Sequence, residues 1–293
     1  MTVTNLATRA GLLLMLIFVA SIGPANADDA FNCSKPAEFV GTLCAPVSAG
    51  KHPALLILGG SGGGDHLASF ASRFAARGYV AASVAYFGLP GLPSRLELIP
   101  VETVGTALDR IAERADVDPE RMGILGVSKG GEFALLAAST YPRIVAVVSI
   151  VGSPFAWSRL PRGPRDGLAS SWTAAGKVVP FVPVDRFAMQ DSGWDAFEAP
   201  LRQNRVAVER AMFRLENVRG PILFLAAGDD RVWDSKTQAE IGMDYLKAHQ
   251  HAYADKMVSY PNVGHPFMFG GSPAAAESAW SEIDAFLAKA LSR

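Results

Sequence analysis

A serine between glycines, a pair of aspartates and one histidine are the residues whose types and spacing could do chemistry in this sequence. Gly126-Val127-Ser128-Lys129-Gly130 fits G-x-S-x-G and lies between the apolar run "GILGV" and the helix-forming run "GGEFALLAAS". A serine hydroxyl attacks a carbonyl carbon when a base takes its proton and a third group orients that base. The glycines suit the task, because the serine must sit on a tight turn with its hydroxyl exposed. A helix that starts at the serine aims backbone N–H groups at charge developing beside it. A Gly-rich turn with an incidental serine is the plainer reading of the same five residues.

The expected partners lie further along the chain, in the order serine, acid, histidine. "FLAAGDDRVW" places Asp229 and Asp230 in a loop after an apolar strand, and "YPNVGHPF" places His265 in the loop after the last strand. Asp230, immediately before "RV", is the expected acid, with Asp229 as a loop-capping residue; the alternative assignment stays open. His52 and His66 come too early, and His249 and His251 fall at a helix end.

A second glycine cluster, "GGSGGGD" from Gly59 to Asp65, has no G-x-G-x-x-G register, and Asp65 stands where a phosphate loop needs lysine. It follows a strand and precedes the first helix, where a bare backbone lets an N–H approach a substrate oxygen closely. The expected oxyanion donors are the backbone N–H groups of Ser61 (or Gly62) and Lys129. A simple flexible turn is the alternative.

These residues need a scaffold that brings three distant loops to one place. "HPALLILGG", "VAASVAYF", "IVAVVSIVGS", "GPILFLAAGDD" and "KMVSYP" read as strands, and "DPERMGILGVS" as a turn leading into another. Between them, "HLASFASRFAARGY", "VETVGTALDRIAERADV", "GGEFALLAASTYP", "SKTQAEIGMDYLKAHQ" and "AAAESAWSEIDAFLAKAL" carry helical spacing. The alternation predicts an α/β protein with a mostly parallel sheet and helices on both faces. From 153 to 220 the rhythm breaks into Pro, Gly and aromatic residues, with a helix predicted over "RQNRVAVERAMFRLENV". This stretch is expected to form a lid over the strand ends, where open α/β sheets bind ligands. Phe155, Trp157, Trp172, Phe181, Phe187 and Trp194 could line an acyl pocket, and Arg159, Arg162, Arg165 and Arg186 could meet an anionic group. Equally, the aromatics could pack the lid and the arginines be solvated.

The 293 residues carry 27 Lys and Arg against 28 Asp and Glu, a balance that argues against nucleic acid or anionic membrane as the main partner. Arg9, the apolar "GLLLMLIFVA" and the small residues "ANA" at 25–27 have the layout of a secretory signal peptide. A periplasmic or secreted chain beginning near Asp28, with no stable membrane association after cleavage, is expected. Cys33 and Cys44 are the only cysteines, and in an oxidising compartment they are expected to form one disulfide. Neither has a metal-ligand partner at useful spacing.

With "LGGSGGG", "GVSKGGEFALLAA", "VRGPILFLAAGDDRVW" and "YPNVGHPF" in this order, the chain resembles the C-terminal catalytic domain of the acyl-CoA thioester hydrolase and bile acid-CoA:amino acid N-acyltransferase family. The resemblance implies an α/β-hydrolase fold, a triad at Ser128, Asp230 and His265, and a small acyl ester or thioester as substrate, with no cofactor. Two departures stand out. Larger members of the family carry a β-sandwich domain ahead of the catalytic one, and too few residues precede "HPALLILGG" here to make it. The acyltransferase branch looks like a cysteine-nucleophile branch, whereas this chain has Ser128, which favours hydrolysis over amide transfer. A carboxylesterase or dienelactone-hydrolase-like enzyme on a small ester or lactone, and a non-catalytic binding protein of the same fold, are the alternatives.

Overall fold

The computed structural model describes residues 30–163, 165–188 and 195–292. The proposed signal segment, and Trp194 of the predicted lid, lie outside the described residues.

Eight strands form the main sheet: β1 (Phe31–Ser34), β2 (Gly41–Pro46), β3 (His52–Leu58), β4 (Val80–Val84), β6 (Val117–Val127), β7 (Ile144–Ile150), β10 (Ile222–Ala227) and β11 (Lys256–Tyr260). Their spatial order is β1-β2-β4-β3-β6-β7-β10-β11. β1, β2 and β4 pair antiparallel, and every other neighbouring pair is parallel. In β3, Leu55 and Ile57 face one apolar core and Leu56 and Leu58 the other. A strand buried on both faces has to be apolar throughout, which is why "ALLIL" does not alternate.

Helices α1 (Ala68–Ala75) and α7 (Pro273–Ala290) cover one face. The other face carries α2 (Glu102–Ala112), α3 (Lys129–Thr140) and α6 (Ser235–Ala248). The ladder between β3 and β6 shifts register between His52 and Ala54, so that Asp118 to Arg121 loop out of a strand that already begins at Val117. The predicted "DPER" turn is therefore a bulge within the strand.

β1 and β2 had no counterpart in the sequence reading. The edge pair is short and half exposed, and Cys33 faces Cys44 directly across it. The two are joined by a disulfide with a sequence separation of 11. A cross-link over a loop of this size removes about 3 kcal/mol of chain entropy from the unfolded state. Thermal melts with and without reductant should therefore differ by roughly 5–10 °C. A Cys44→Ser variant should melt like the reduced protein and be insensitive to reductant.

Between β7 and β10 the chain builds a small unit of its own. β8 (Trp172–Ala174) and β9 (Lys177–Val178) pair antiparallel, and β8 takes β5 (Ile99–Pro100), from before α2, as a parallel neighbour. Two short helices follow, α4 (Asp195–Gln203) and α5 (Arg205–Ala211). A single helix was expected from 202 to 218. Asn204 instead leaves the helix and caps α5, its side chain accepting the Ala207 N–H. Residues 215–217 form only a 3₁₀ turn.

Candidate active site

Ser128 sits between β6 and α3 with φ 57° and ψ −123°, a backbone that points its side chain out of the turn. Two glycines make that turn possible. A Cβ on Gly126 would lie 2.0 Å from the Gly130 carbonyl oxygen, and one on Gly130 would lie 2.2 Å from the Leu58 carbonyl oxygen. No larger residue fits either position without moving backbone. The outer residues of G-x-S-x-G are therefore dictated by the close approach of α3 to β6 and β3.

The three predicted side chains meet. His265 Nε2 lies 2.8 Å from Ser128 Oγ, and His265 Nδ1 lies 2.8 Å from Asp230 Oδ2. The two loops are joined by backbone hydrogen bonds, Gly228 N–H to Tyr260 O and Asp229 N–H to Val263 O. The acid after β10 and the histidine after β11 are thus held in register by neighbouring parallel strands.

The choice between the aspartates is made by which way each faces. Asp230 is buried, with Oδ1 accepting the Val232 N–H and Oδ2 the Ser235 N–H. Asp229 turns outward and pairs with Arg231. Burial by itself raises the Asp230 carboxyl. The hydrogen bond and charge of His265, with Ser235 and the Val232 N–H, outweigh it and hold the group below its ordinary value. Trp233 closes one side, its ring edge-on to His265 and its indole N–H donating to Val151 O.

The glycine-rich loop after β3 presses against Ser128. A Cβ on Gly60 would lie 3.2 Å from Ser128 Cβ and 3.7 Å from Ser128 Oγ. Tyr86, buried, donates its hydroxyl to Gly59 O at 2.5 Å and fixes the start of the loop. Asp65 fixes the end: Oδ2 accepts from Lys35 and Thr42, and Oδ1 from Ser83. Asp65 is therefore a structural anchor between β2 and β4. Ser61 is exposed on a cleft of about 210 Å³ that it shares with Arg95, Arg159 and Arg162. Lys129 opens α3, which places its backbone N–H in the unpaired first turn beside Ser128.

The expected acyl-pocket aromatics require correction. Phe155 and Trp157 are both 0% exposed, packed with Val182, Val184 and Phe197 into a core belonging to the 153–220 stretch. Trp172 is also fully buried, stacked on Phe133 with ring centroids 4.1 Å apart. These rings are large because a short irregular segment needs bulky side chains to make a core at all. Among the arginines, Arg159 is buried in contacts with Asp166 and Glu97. Arg95 joins them through Asp166, whose carboxyl is held far below the usual range by Arg159, the Arg162 N–H and Arg95. Arg162 is exposed on the cleft, and Arg186 lies over the Phe187 ring.

Two other histidines have structural positions. His249 ends α6 and stacks on Tyr245. His251 is held between Asp255 and the Val218 carbonyl.

Sequence reading also passed over a buried charge pair. The Lys129 side chain folds inward, its Nζ 2.8 and 2.9 Å from the two carboxylate oxygens of Glu132. Burial drives Lys129 down and Glu132 up, against their mutual attraction. The Trp157 N–H and the Trp172 indole also donate to Glu132, so the carboxylate accepts on every side. The signal was present: a lysine and a glutamate three apart in a helix that is otherwise apolar.

A mostly parallel sheet with a G-x-S-x-G turn after β6, an aspartate after β10 and a histidine after β11 has the α/β-hydrolase fold. A putative dienelactone hydrolase from Klebsiella pneumoniae subsp. pneumoniae superposes with a TM-score of 0.57 at 18% identity, covering 85% of this chain and 92% of that one. The chain belongs to the family described as BAAT / Acyl-CoA thioester hydrolase C terminal, matched over residues 99–273. It is 27% identical to human acyl-coenzyme A thioesterase 1 over 281 residues, 86% of this chain and 63% of that protein. It is 26% identical to mouse acyl-coenzyme A amino acid N-acyltransferase 1 over 276 residues, again 86% and 63%. The chain thus spans a little under two thirds of these relatives.

Proposed function

We propose that this protein is an exported serine hydrolase that cleaves an acyl thioester or ester through an acyl-enzyme. The observation that carries the reading is the unbroken chain Ser128 Oγ, His265 Nε2 and Nδ1, Asp230 Oδ2, both links at 2.8 Å. Ser128 Oγ attacks the acyl carbon as His265 Nε2 takes its proton. Asp230 holds Nδ1–H and stabilises the imidazolium that forms. The backbone N–H groups of Lys129 and Ser61 bind the oxyanion. The bond to the leaving group breaks and His265 protonates it. Water, deprotonated by His265, then attacks the acyl-serine; the bond to Ser128 Oγ breaks, His265 returns the proton to Oγ, and the acid is released.

The names of the relatives favour an acyl-CoA thioester as substrate. A plain ester or lactone is the second reading, favoured by the signal-peptide layout of residues 1–27, since acyl-CoA is a cytoplasmic metabolite. The Cys33–Cys44 disulfide agrees with export to an oxidising compartment. Export is tested by sequencing the N-terminus of protein recovered from cell fractions, with Asp28 the expected first residue. Labelling by a fluorophosphonate, followed by turnover of one acyl group presented as CoA thioester and as an uncharged ester, tests the chemistry. No labelling and no turnover of either would overturn it.

Arg162 separates the two substrate readings. It stands on the cleft beside Ser61. An anionic leaving group seated there should lose one charge-assisted contact in Arg162→Ala, raising KM for the CoA thioester about 10-fold, with little change for the uncharged ester. Equal KM changes for both substrates would place the leaving group elsewhere.

A further inference from the structure

Resting on the serine hydrolase reading, we propose that Lys129, Glu132 and Trp157 form a buried positioning strut that ties the 153–220 lid to the nucleophile helix and the acid loop, and so sets the reaction geometry. Each joint is a hydrogen bond. Glu132, in the first turn of α3, accepts the Trp157 N–H at 3.0 Å and the Trp172 indole N–H at 2.5 Å. Lys129 Nζ reaches the Trp157 carbonyl at 3.3 Å, and the Ser171 hydroxyl donates to the same oxygen at 3.2 Å. Both polar groups of the Trp157 backbone are therefore bonded to the helix that bears Ser128.

The Trp157 ring continues the strut to the other half of the site. Its indole N–H donates to Gln238 Oε1 at 2.9 Å, and Gln238 Nε2 donates to the Trp233 carbonyl. Trp233 follows the acid by three residues and stands edge-on to His265. Trp172 extends the contact toward the glycine-rich loop, since it packs against Tyr86, which holds Gly59. Elbow, acid loop and glycine loop are thus all referenced to two lid tryptophans.

The choice of residues argues for position over stability. A buried ion pair is a poor stabiliser compared with apolar side chains of the same volume. Its directional bonds, however, fix one arrangement of the groups it joins. Lys129 also supplies a proposed oxyanion donor from its own backbone, so anchoring its side chain restrains that N–H.

The test compares wild type, Glu132→Gln and Trp172→Phe, each titrated with a fluorophosphonate so that kcat is expressed per active site. Trp172→Phe removes one donor to Glu132 and keeps an aromatic ring against Phe133, so it preserves the fold if Glu132→Gln does not. Misplaced reacting groups should lower kcat per titrated site about 10–100-fold in Glu132→Gln and about 3–10-fold in Trp172→Phe. KM for a small acetate ester should stay within about two-fold. A merely structural pair would lower the melting temperature and the titratable fraction only. Wild-type kcat per titrated site in the folded variants would overturn the strut. Wild type that neither labels nor turns over would instead overturn the hydrolase reading, and the strut with it.

Discussion

Replacing Ser128 by alanine is expected to lower kcat on every active ester or thioester by a factor on the order of 10⁵–10⁶. The substitution removes one atom, the Oγ that stands 2.8 Å from His265 Nε2. Among the described residues no other hydroxyl is hydrogen-bonded to that nitrogen, so acyl-enzyme formation loses its nucleophile and not merely a contact. Folding should survive. The turn is fixed by the approach of Gly126 to the Gly130 carbonyl and of Gly130 to the Leu58 carbonyl, neither of which involves the serine side chain. Melting temperature and KM of the residual reaction should stay near wild type, and fluorophosphonate labelling should vanish. Turnover by the alanine variant within about 100-fold of wild type would show that the chemistry runs through another group.

The second large effect separates the two adjacent aspartates. Asp230→Asn should lower kcat on the order of 10³–10⁴-fold, whereas Asp229→Asn should change it by less than about two-fold. The Asp230 carboxylate accepts a hydrogen bond from His265 Nδ1–H, which keeps the proton on Nδ1 and leaves Nε2 free to accept from Ser128. An asparagine can turn its NH₂ toward Nδ1 and favour the tautomer in which Nε2 is already protonated and is no base. Asp229 contributes only an exposed ion pair with Arg231, a contact of small energy.

The same substitution has a signature in stability. The native Asp230 carboxyl ionises below its ordinary value of 3.8. A carboxyl depressed on folding contributes stability that is fully present above the unfolded pKa and is lost as pH falls through the lower native value. Wild type should therefore lose part of its stability below about pH 4. Asp230→Asn should lose less over that window. Denaturant melts at pH 7 and in steps below pH 4 read the difference.

Much of this site was legible because each of its parts is local in sequence. G-x-S-x-G encodes a turn that only glycine permits at Gly126 and Gly130, and those contacts are made within one strand-turn-helix unit and the strand beside it. Asp230 and His265 were legible because each lies in the loop that follows a predicted strand, and the end of a parallel strand is where such a sheet presents its loops. The apolar runs of β3 and β10, and of β7 around its single Ser149, indicate a parallel sheet covered on both faces for the same reason: both faces are buried.

The 153–220 stretch resisted reading because its structure is made by contacts with distant residues. Trp157 looked like a surface for an acyl chain, since nothing in "SPFAWSRL" indicates that Glu132 and Gln238 will hold its backbone and its ring. Trp172 joins a strand whose partner, Ile99–Pro100, lies some seventy residues earlier. Arg159 looked available to a ligand until folding brought Asp166 and Glu97 onto it. By itself, then, the sequence determined the parallel strands of the sheet, the G-x-S-x-G turn and the two loops that carry Asp230 and His265, all of which follow from periodicity and turn chemistry over a few neighbouring residues. Only the tertiary structure decided which aspartate faces the histidine, that Lys129 turns inward to Glu132, and that Trp157 and Trp172 are buried. Those outcomes depend on the direction each side chain takes against neighbours remote in the chain, and a local pattern carries no information about that direction.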